Sequence, residues 1–193
     1  ASSIETLFRG ISLSSILLMM SLGLAIVFGL MGVINMAHGE LMMVGAYATF
    51  VTQQAFVAWV SPEHFDWYFP VALPVAFLSA ALFGWVLEAT VIRFLYGRLL
   101  ETLLATWGVS LILMQAARVY FGDLTAVVAP QALRGGAQVM VGVYLPYNRI
   151  FIIILSIVCV LGIYFLLFRS NLGVRVRSVT QNRNMSACLG IPT

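Results

Sequence analysis

Charge is what this sequence has least of. Of 193 residues only 9% are Asp, Glu, Lys or Arg, against about 25% in an ordinary soluble domain. Lysine is missing altogether, so all ten cations are arginines, set against seven acids for a net charge of +3. So few and so scattered cations exclude a nucleic-acid binder, which needs a clustered basic face. Disorder is excluded as well, because it requires low hydrophobicity and high charge. Cysteine is nearly absent. Cys159 sits in an apolar run and Cys188 in a polar tail, and neither has metal-ligand or C-x-x-C spacing, so both read as unpaired thiols. What fills the space is apolar: 62% of the residues, with a mean hydropathy of +1.02. Most of this surface cannot face water. Because the apolar character continues to residue 168, the chain is not a signal peptide ahead of a soluble domain. It is a membrane protein.

A helix needs about 20 apolar residues to cross about 30 Å of hydrocarbon. The uncharged stretches predict five spans, near 11–33, 40–60, 69–92, 99–119 and 149–168. The first two are separated only by the segment Asn35-Met36-Ala37-His38-Gly39-Glu40. Pro62, Glu63, His64 and Asp66 make the next break, Arg93 and Arg98 bracket the third, and residues 120–148 form the longest. Arginine tends to stay on the cytoplasmic side. With the N-terminus outside, six Arg (93, 98, 169, 175, 177 and 183) fall inside and four (9, 118, 134 and 149) fall outside. Arg118 and Arg149 lie at span ends, where they can snorkel. The expected organisation is a transmembrane bundle over 1–168 and a cytoplasmic segment over 169–193.

Ser21, Ala25 and Gly29 recur every four residues in the first span, and Ala76, Ala80 and Gly84 do so in the third. Small residues at that spacing let helix backbones approach closely, and both stripes are expected to pack against other helices. The segment Leu189-Gly190-Ile191-Pro192-Thr193 follows polar residues with no closing element, which leads us to expect further spans C-terminal to it.

Three segments carry candidate chemistry. Asn35, His38 and Glu40 sit at the junction of the first two spans. One reading has Asn35 capping the second helix and Glu40 complementing its dipole. The other has this polar interruption lining a solute path, since ionisable groups near a span are functional by default. The residues leave both open. Thr106, Trp107 and Gly108 lie inside the fourth span, where Gly108 either interrupts the helix beside a solute or permits a close helix contact. Glu88 and Glu101 flank Arg93 and Arg98, a pattern of snorkelling side chains and surface ion pairs, although Glu88 shares the small-residue face of Gly84. Residues Arg175 to Ile191 read as one short polar helix with a small apolar face, capped by Thr180 or Asn182 and stopped by Gly190 and Pro192. Such a helix either lies on anionic lipid or, with Met185 and Leu189 exposed, docks into a groove of a cytoplasmic partner, the reading favoured here. No metal or cofactor is expected. There is no H-E-x-x-H, and the second histidine, His64, lies beyond the second span on the opposite side of the membrane from His38, which also removes haem ligation. No G-x-S-x-G marks a hydrolase.

The run from Gly32 to Tyr47, with its Asn-x-Ala-x-Gly pattern, the acidic Glu40 and the pair Gly45-Ala46, closely resembles the signature of the branched-chain amino acid and urea permease family. These are the membrane subunits of ABC importers. The tail from Gly173 through Gly190 is similar to the cytoplasmic loop that docks on the ATP-hydrolysing subunit in that family. Thr180-Gln181-Asn182-Arg183, Ala187 to Thr193 and Leu103 to Ser110 look like its urea branch. The resemblance implies an all-α polytopic bundle of the type II importer permease fold, longer than this chain by several C-terminal helices. It implies a dimeric membrane core completed by a second homologous permease, two cytoplasmic ATPase subunits, and a periplasmic or extracellular solute-binding protein, all at the bacterial plasma (inner) membrane. ATP hydrolysis would belong to the partner, not to this chain, which is not expected to be an enzyme. The tail residues expected to couple to the ATPase are Arg175, Arg177, Asn182, Arg183, Met185 and Leu189. Those expected on the solute path are Asn35, His38, Glu40 and Thr106. Urea is the expected cargo and a branched-chain amino acid the alternative. Urea is small and neutral, so a path without fixed charges suits it. A passive urea channel is disfavoured because Asn35-Met36-Ala37 occurs once and lacks the proline of paired Asn-Pro-Ala half-helices. An intramembrane enzyme lacks its nucleophile.

Overall fold

The computed structural model describes residues 2–123, 125–127, 130, 133–140 and 143–193. Its elements in order are helix α1 (Ser2–Met31), α2 (His38–Trp59), a 3-10 turn (Pro62–Trp67), α3 (Tyr68–Thr90), a second 3-10 turn (Ile92–Phe94), α4 (Leu99–Phe121), strands β1 (Gly136–Met140) and β2 (Val143–Pro146), α5 (Tyr147–Arg169), α6 (Asn171–Gln181) and α7 (Arg183–Cys188). Five helices are long and apolar enough to cross a membrane. The chain is an all-α polytopic membrane protein, as composition and run lengths require.

The span boundaries move slightly. α1 begins at Ser2 rather than near residue 11 because its two charges, Glu5 and Arg9, are one helical turn apart and pair with each other at 2.5 Å. The break over 120–148 contains an addition the sequence reading did not include, the antiparallel pair β1–β2. Trp59 and Trp67, at the adjacent ends of α2 and α3, are 89% and 66% exposed. Amphipathic rings at helix ends mark the level of a membrane–water interface.

The chain divides into two compact units, Val33–Ala132 and the pair of segments Ala1–Gly32 and Leu133–Thr193. In the first, α2 and α3 pack along most of their lengths. The stripe Ala76, Ala80, Gly84 faces α2 as expected: a Cβ on Gly45 would lie 3.8 Å from the Ala76 carbonyl oxygen, and one on Gly84 would lie 4.0 Å from Leu41. Where α3 ends, Val33, Ala37, Leu87 and Ile92 form a buried apolar cluster that Val91, Tyr96 and Val109 extend.

In the other unit α1 and α5 run in the same direction and are joined by polar side chains. Arg149 donates to the Ser12 hydroxyl at 3.5 Å, and the Ser156 hydroxyl donates to the Ser15 carbonyl at 3.3 Å. Ser12 and Ser156 are buried. Arg149 therefore has a polar partner on a neighbouring helix, which a purely snorkelling residue would not need. The other small-residue stripe departs from expectation: Ser21, Ala25 and Gly29 are exposed, and nothing among the described residues comes within 4 Å of a Cβ placed on Gly29.

Candidate functional site

Two regions hold the residues singled out above. The first is the non-helical segment between α1 and α2. α1 stops at Gly32, whose φ of +66° only glycine adopts freely and whose N–H reaches back to the Phe28 carbonyl at 3.0 Å. Asn35 follows, 6% exposed, with its side-chain oxygen accepting from the Ala37 N–H at 3.0 Å. This is an Asx turn. It corrects the expectation that Asn35 caps α2, because Ala37 occupies the cap position and has no side chain to serve it. Thr106, fully buried on α4, accepts the Met36 N–H at 3.1 Å while its own hydroxyl proton is shared between the Thr102 and Leu103 carbonyls at 2.8 and 3.1 Å. Two polar side chains thus satisfy successive backbone N–H groups in a segment with no helix to do so. Leaving such groups unpaired away from water would cost several kcal/mol each, on the order of the penalty in hydrocarbon.

Asn35 and Thr106 are therefore brought together around Met36 and Ala37. His38 and Glu40 lie in the first turn of α2, both half-buried, with Glu40 placed to complement the helix dipole. Gly108 behaves otherwise than either expectation. α4 runs unbroken through it, and nothing among the described residues comes within 4 Å of a Cβ placed there. Glu88 accepts from the Tyr96 hydroxyl at 3.5 Å, and Arg98 and Glu101 form an exposed pair at 3.0 Å, the arrangement expected of a span end. Sequence reasoning named Thr106 but missed Thr102 and Ser110, which complete a buried row with it on α4. Its spacing of four residues was the available signal.

A cleft opens in the same unit between α2, α3 and α4. It encloses about 310 Å³ and is lined by Tyr47, Val51, Ser79, Phe83, Ala117 and Tyr120 among others, nearly all of them through carbon. Phe121, stacked on Tyr47 with ring centroids 4.3 Å apart, fixes the end of α4 against α2.

The second region is the tail. It is two helices, not the single one expected, because the backbone at Asn182 is extended (φ −155°, ψ 99°). Ser170 caps α6 by accepting from the Gly173 N–H at 3.1 Å, and Asn182 caps α7 by accepting from the Met185 N–H at 3.0 Å. Of the two caps expected, Asn182 is used. Thr180 points instead toward α1, where its hydroxyl lies 3.3 Å from the Leu30 carbonyl. Arg177 is held by its own chain, donating to the Gly173 carbonyl at 3.3 Å with its guanidinium 5.2 Å from the centre of the Phe168 ring. Arg175 and Arg183 are exposed, and Met185 and Leu189 present 60% and 73% of their surface. Among the described residues no cluster of three or more His, Cys, Asp or Glu is placed to hold a metal ion.

Residues 6–193 match the family described as branched-chain amino acid transport system, permease component. The chain is 28% identical over 193 residues to the high-affinity branched-chain amino acid transport system permease protein BraD of Pseudomonas aeruginosa, covering 97% of this chain and 62% of BraD. It is 25% identical over 196 residues to the corresponding permease LivH of Escherichia coli K12 and 24% identical to that of Salmonella typhimurium, covering 98% of this chain and 63% of each relative. The chain thus spans about three-fifths of the length of these curated relatives. No solved structure matches it. A match that runs from the first turns of α1 through both tail helices, on a chain with five membrane-crossing helices, makes this a multi-pass protein of the bacterial inner membrane, a member of the branched-chain amino acid transport permease family.

Proposed function

We propose that the chain belongs to the permease subunit of an ATP-driven importer and that its cargo is a branched-chain amino acid, the solute in the names of its relatives. The observation that carries the class is the family match over residues 6–193, which takes in the junction and the tail as well as the spans. In this reading the N-terminus faces outward, and α6 and α7 lie in the cytoplasm. A partner ATPase receives the exposed Met185 and Leu189, with Arg175, Asn182 and Arg183 beside them. A second permease subunit and an outer solute-binding protein complete the assembly. Asn35, His38, Glu40 and Thr106 sit on the path, where Asn35 and Thr106 act by shaping the turn and His38 and Glu40 provide its polar faces.

The aliphatic cargo rests on the names of the relatives; the carbon-lined cleft between α2, α3 and α4 includes none of the four path residues. Urea is the second reading, carried by the residue runs Leu103–Ser110, Thr180–Arg183 and Ala187–Thr193. Uptake of labelled leucine and labelled urea into vesicles holding the full-length protein and its partners, with and without ATP, separates them. ATP-dependent leucine accumulation is expected. Accumulation of urea alone would change the cargo, and equilibration without ATP would overturn the importer.

A further inference from the structure

Helix α6 is fixed at both of its ends. At the first, the chain turns out of α5 at Ser170, and Gly173 sits so tightly in the corner that a Cβ there would collide with the Leu167 and Leu166 carbonyls. The Ser170 cap and the Arg177 contacts to Gly173 and Phe168 hold the same corner from the other side. At its far end the Thr180 hydroxyl is shared between the Val176 carbonyl of its own helix at 2.9 Å and the Leu30 carbonyl at 3.3 Å. Leu30 lies in the last turn of α1, where carbonyls have no donor within the helix. An acceptor in need and a donor from a different helix meet there, 150 residues apart in sequence. Just past Thr180 the helix ends, Asn182 breaks the backbone and caps α7, and Met185 and Leu189 follow. From Leu30 the chain leaves α1 through Gly32 directly into the segment of Asn35.

We infer that α6 is a strut, seated on α1 through the Thr180–Leu30 hydrogen bond, and that Thr180 is the positioning residue by which a displacement of α7 is delivered to the end of α1. This rests on the reading of α7 as the ATPase-docking element. In this role Thr180 acts through the Leu30 carbonyl. The corner at Gly173 is tied by the Ser170 cap and by the Arg177 contacts to Gly173 and Phe168, which join the start of α6 to the end of α5. Thr180 lies two residues before the Asn182 break.

The test uses the complete importer in vesicles with Thr180→Val, which keeps the branched shape and removes the hydroxyl, and Thr180→Ser, which keeps the hydroxyl. For Thr180→Val we expect the ATPase subunit to remain bound and to hydrolyse ATP, while solute carried per ATP falls about fivefold, the factor that one hydrogen bond commands. Thr180→Ser restores the ratio. An unchanged ratio in Thr180→Val overturns the strut. So does loss of the ATPase subunit in that variant, because Thr180 would then shape the dock rather than transmit through it. A parent complex that binds no ATPase would instead overturn the importer reading. The seat is then read separately from spin labels on Met31→Cys and Gln181→Cys in a chain with Cys159→Ser and Cys188→Ser. A narrow distance that broadens on Thr180→Val upholds the seat, and one that does not change refutes it.

Discussion

The two units solve the same problem by different means. In hydrocarbon there is no hydrophobic drive between helices, so association must come from close packing or from hydrogen bonds. The unit of α2, α3 and α4 relies chiefly on closeness, with Gly45 against Ala76 and Gly84 near Leu41. The unit of α1, α5 and the tail relies on hydroxyls: Ser12 with Arg149, Ser156 with Ser15, Thr180 with Leu30. A closely packed interface is intolerant of added volume. An interface of hydroxyl clasps tolerates volume elsewhere on the helix and loses a little with each clasp removed.

The sharpest way to break this contrast is at a place where the closely packed unit also depends on a long-range hydrogen bond. Thr106→Val should leave the Met36 N–H without its acceptor and lower stability by about 2 kcal/mol, the cost of an unsatisfied buried donor. Thr106→Ser should recover most of it, read as the unfolding midpoint of the detergent-solubilised protein. Next in size is Gly45→Leu, expected to cost about 1–3 kcal/mol through overpacking against α3. Gly45→Ala, whose Cβ meets Ala76 at ordinary van der Waals distance, should gain about 0.5 kcal/mol or more. Equal midpoints for the two variants would refute close packing as the basis of this unit. The smallest effect is expected on the other side: Ser156→Ala should cost only about 0.6 kcal/mol, a typical interhelical bond in a membrane. A loss several times larger would mean that the clasps hold their unit together in concert.

How much of this was legible in the sequence follows from what each element depends on. The spans depend on run length, and all five were readable. The start of α1 was not, because a charge ends an apolar run, whereas Glu5 and Arg9 neutralise each other along one helical turn and let the helix begin earlier. The two small-residue stripes look alike as sequence, yet only Ala76-Ala80-Gly84 is covered within its unit. Periodicity states that a face exists, not what covers it. The junction was readable as a polar interruption containing Asn35. That Thr106 reaches it from 70 positions away was not, since a hydroxyl's partner is fixed by tertiary packing alone. The exposure of Met185 and Leu189 was legible for the opposite reason, because it follows from the local pattern, whereas the contact of Thr180 to Leu30 was not, the pattern offering Thr180 or Asn182 only as a cap. The strands β1 and β2 are too short and irregular to carry a period, with a register shift between Gln138 and Met140.

The corner at Gly173 has a consequence for inheritance. Every missense change at a glycine codon adds a Cβ to the α-carbon, and here that carbon meets main-chain carbonyls rather than a side chain able to swing away. No conservative replacement exists at this position. Allelic variation should stop at Gly173 even in lineages where the exposed faces of α5 and α6 drift freely.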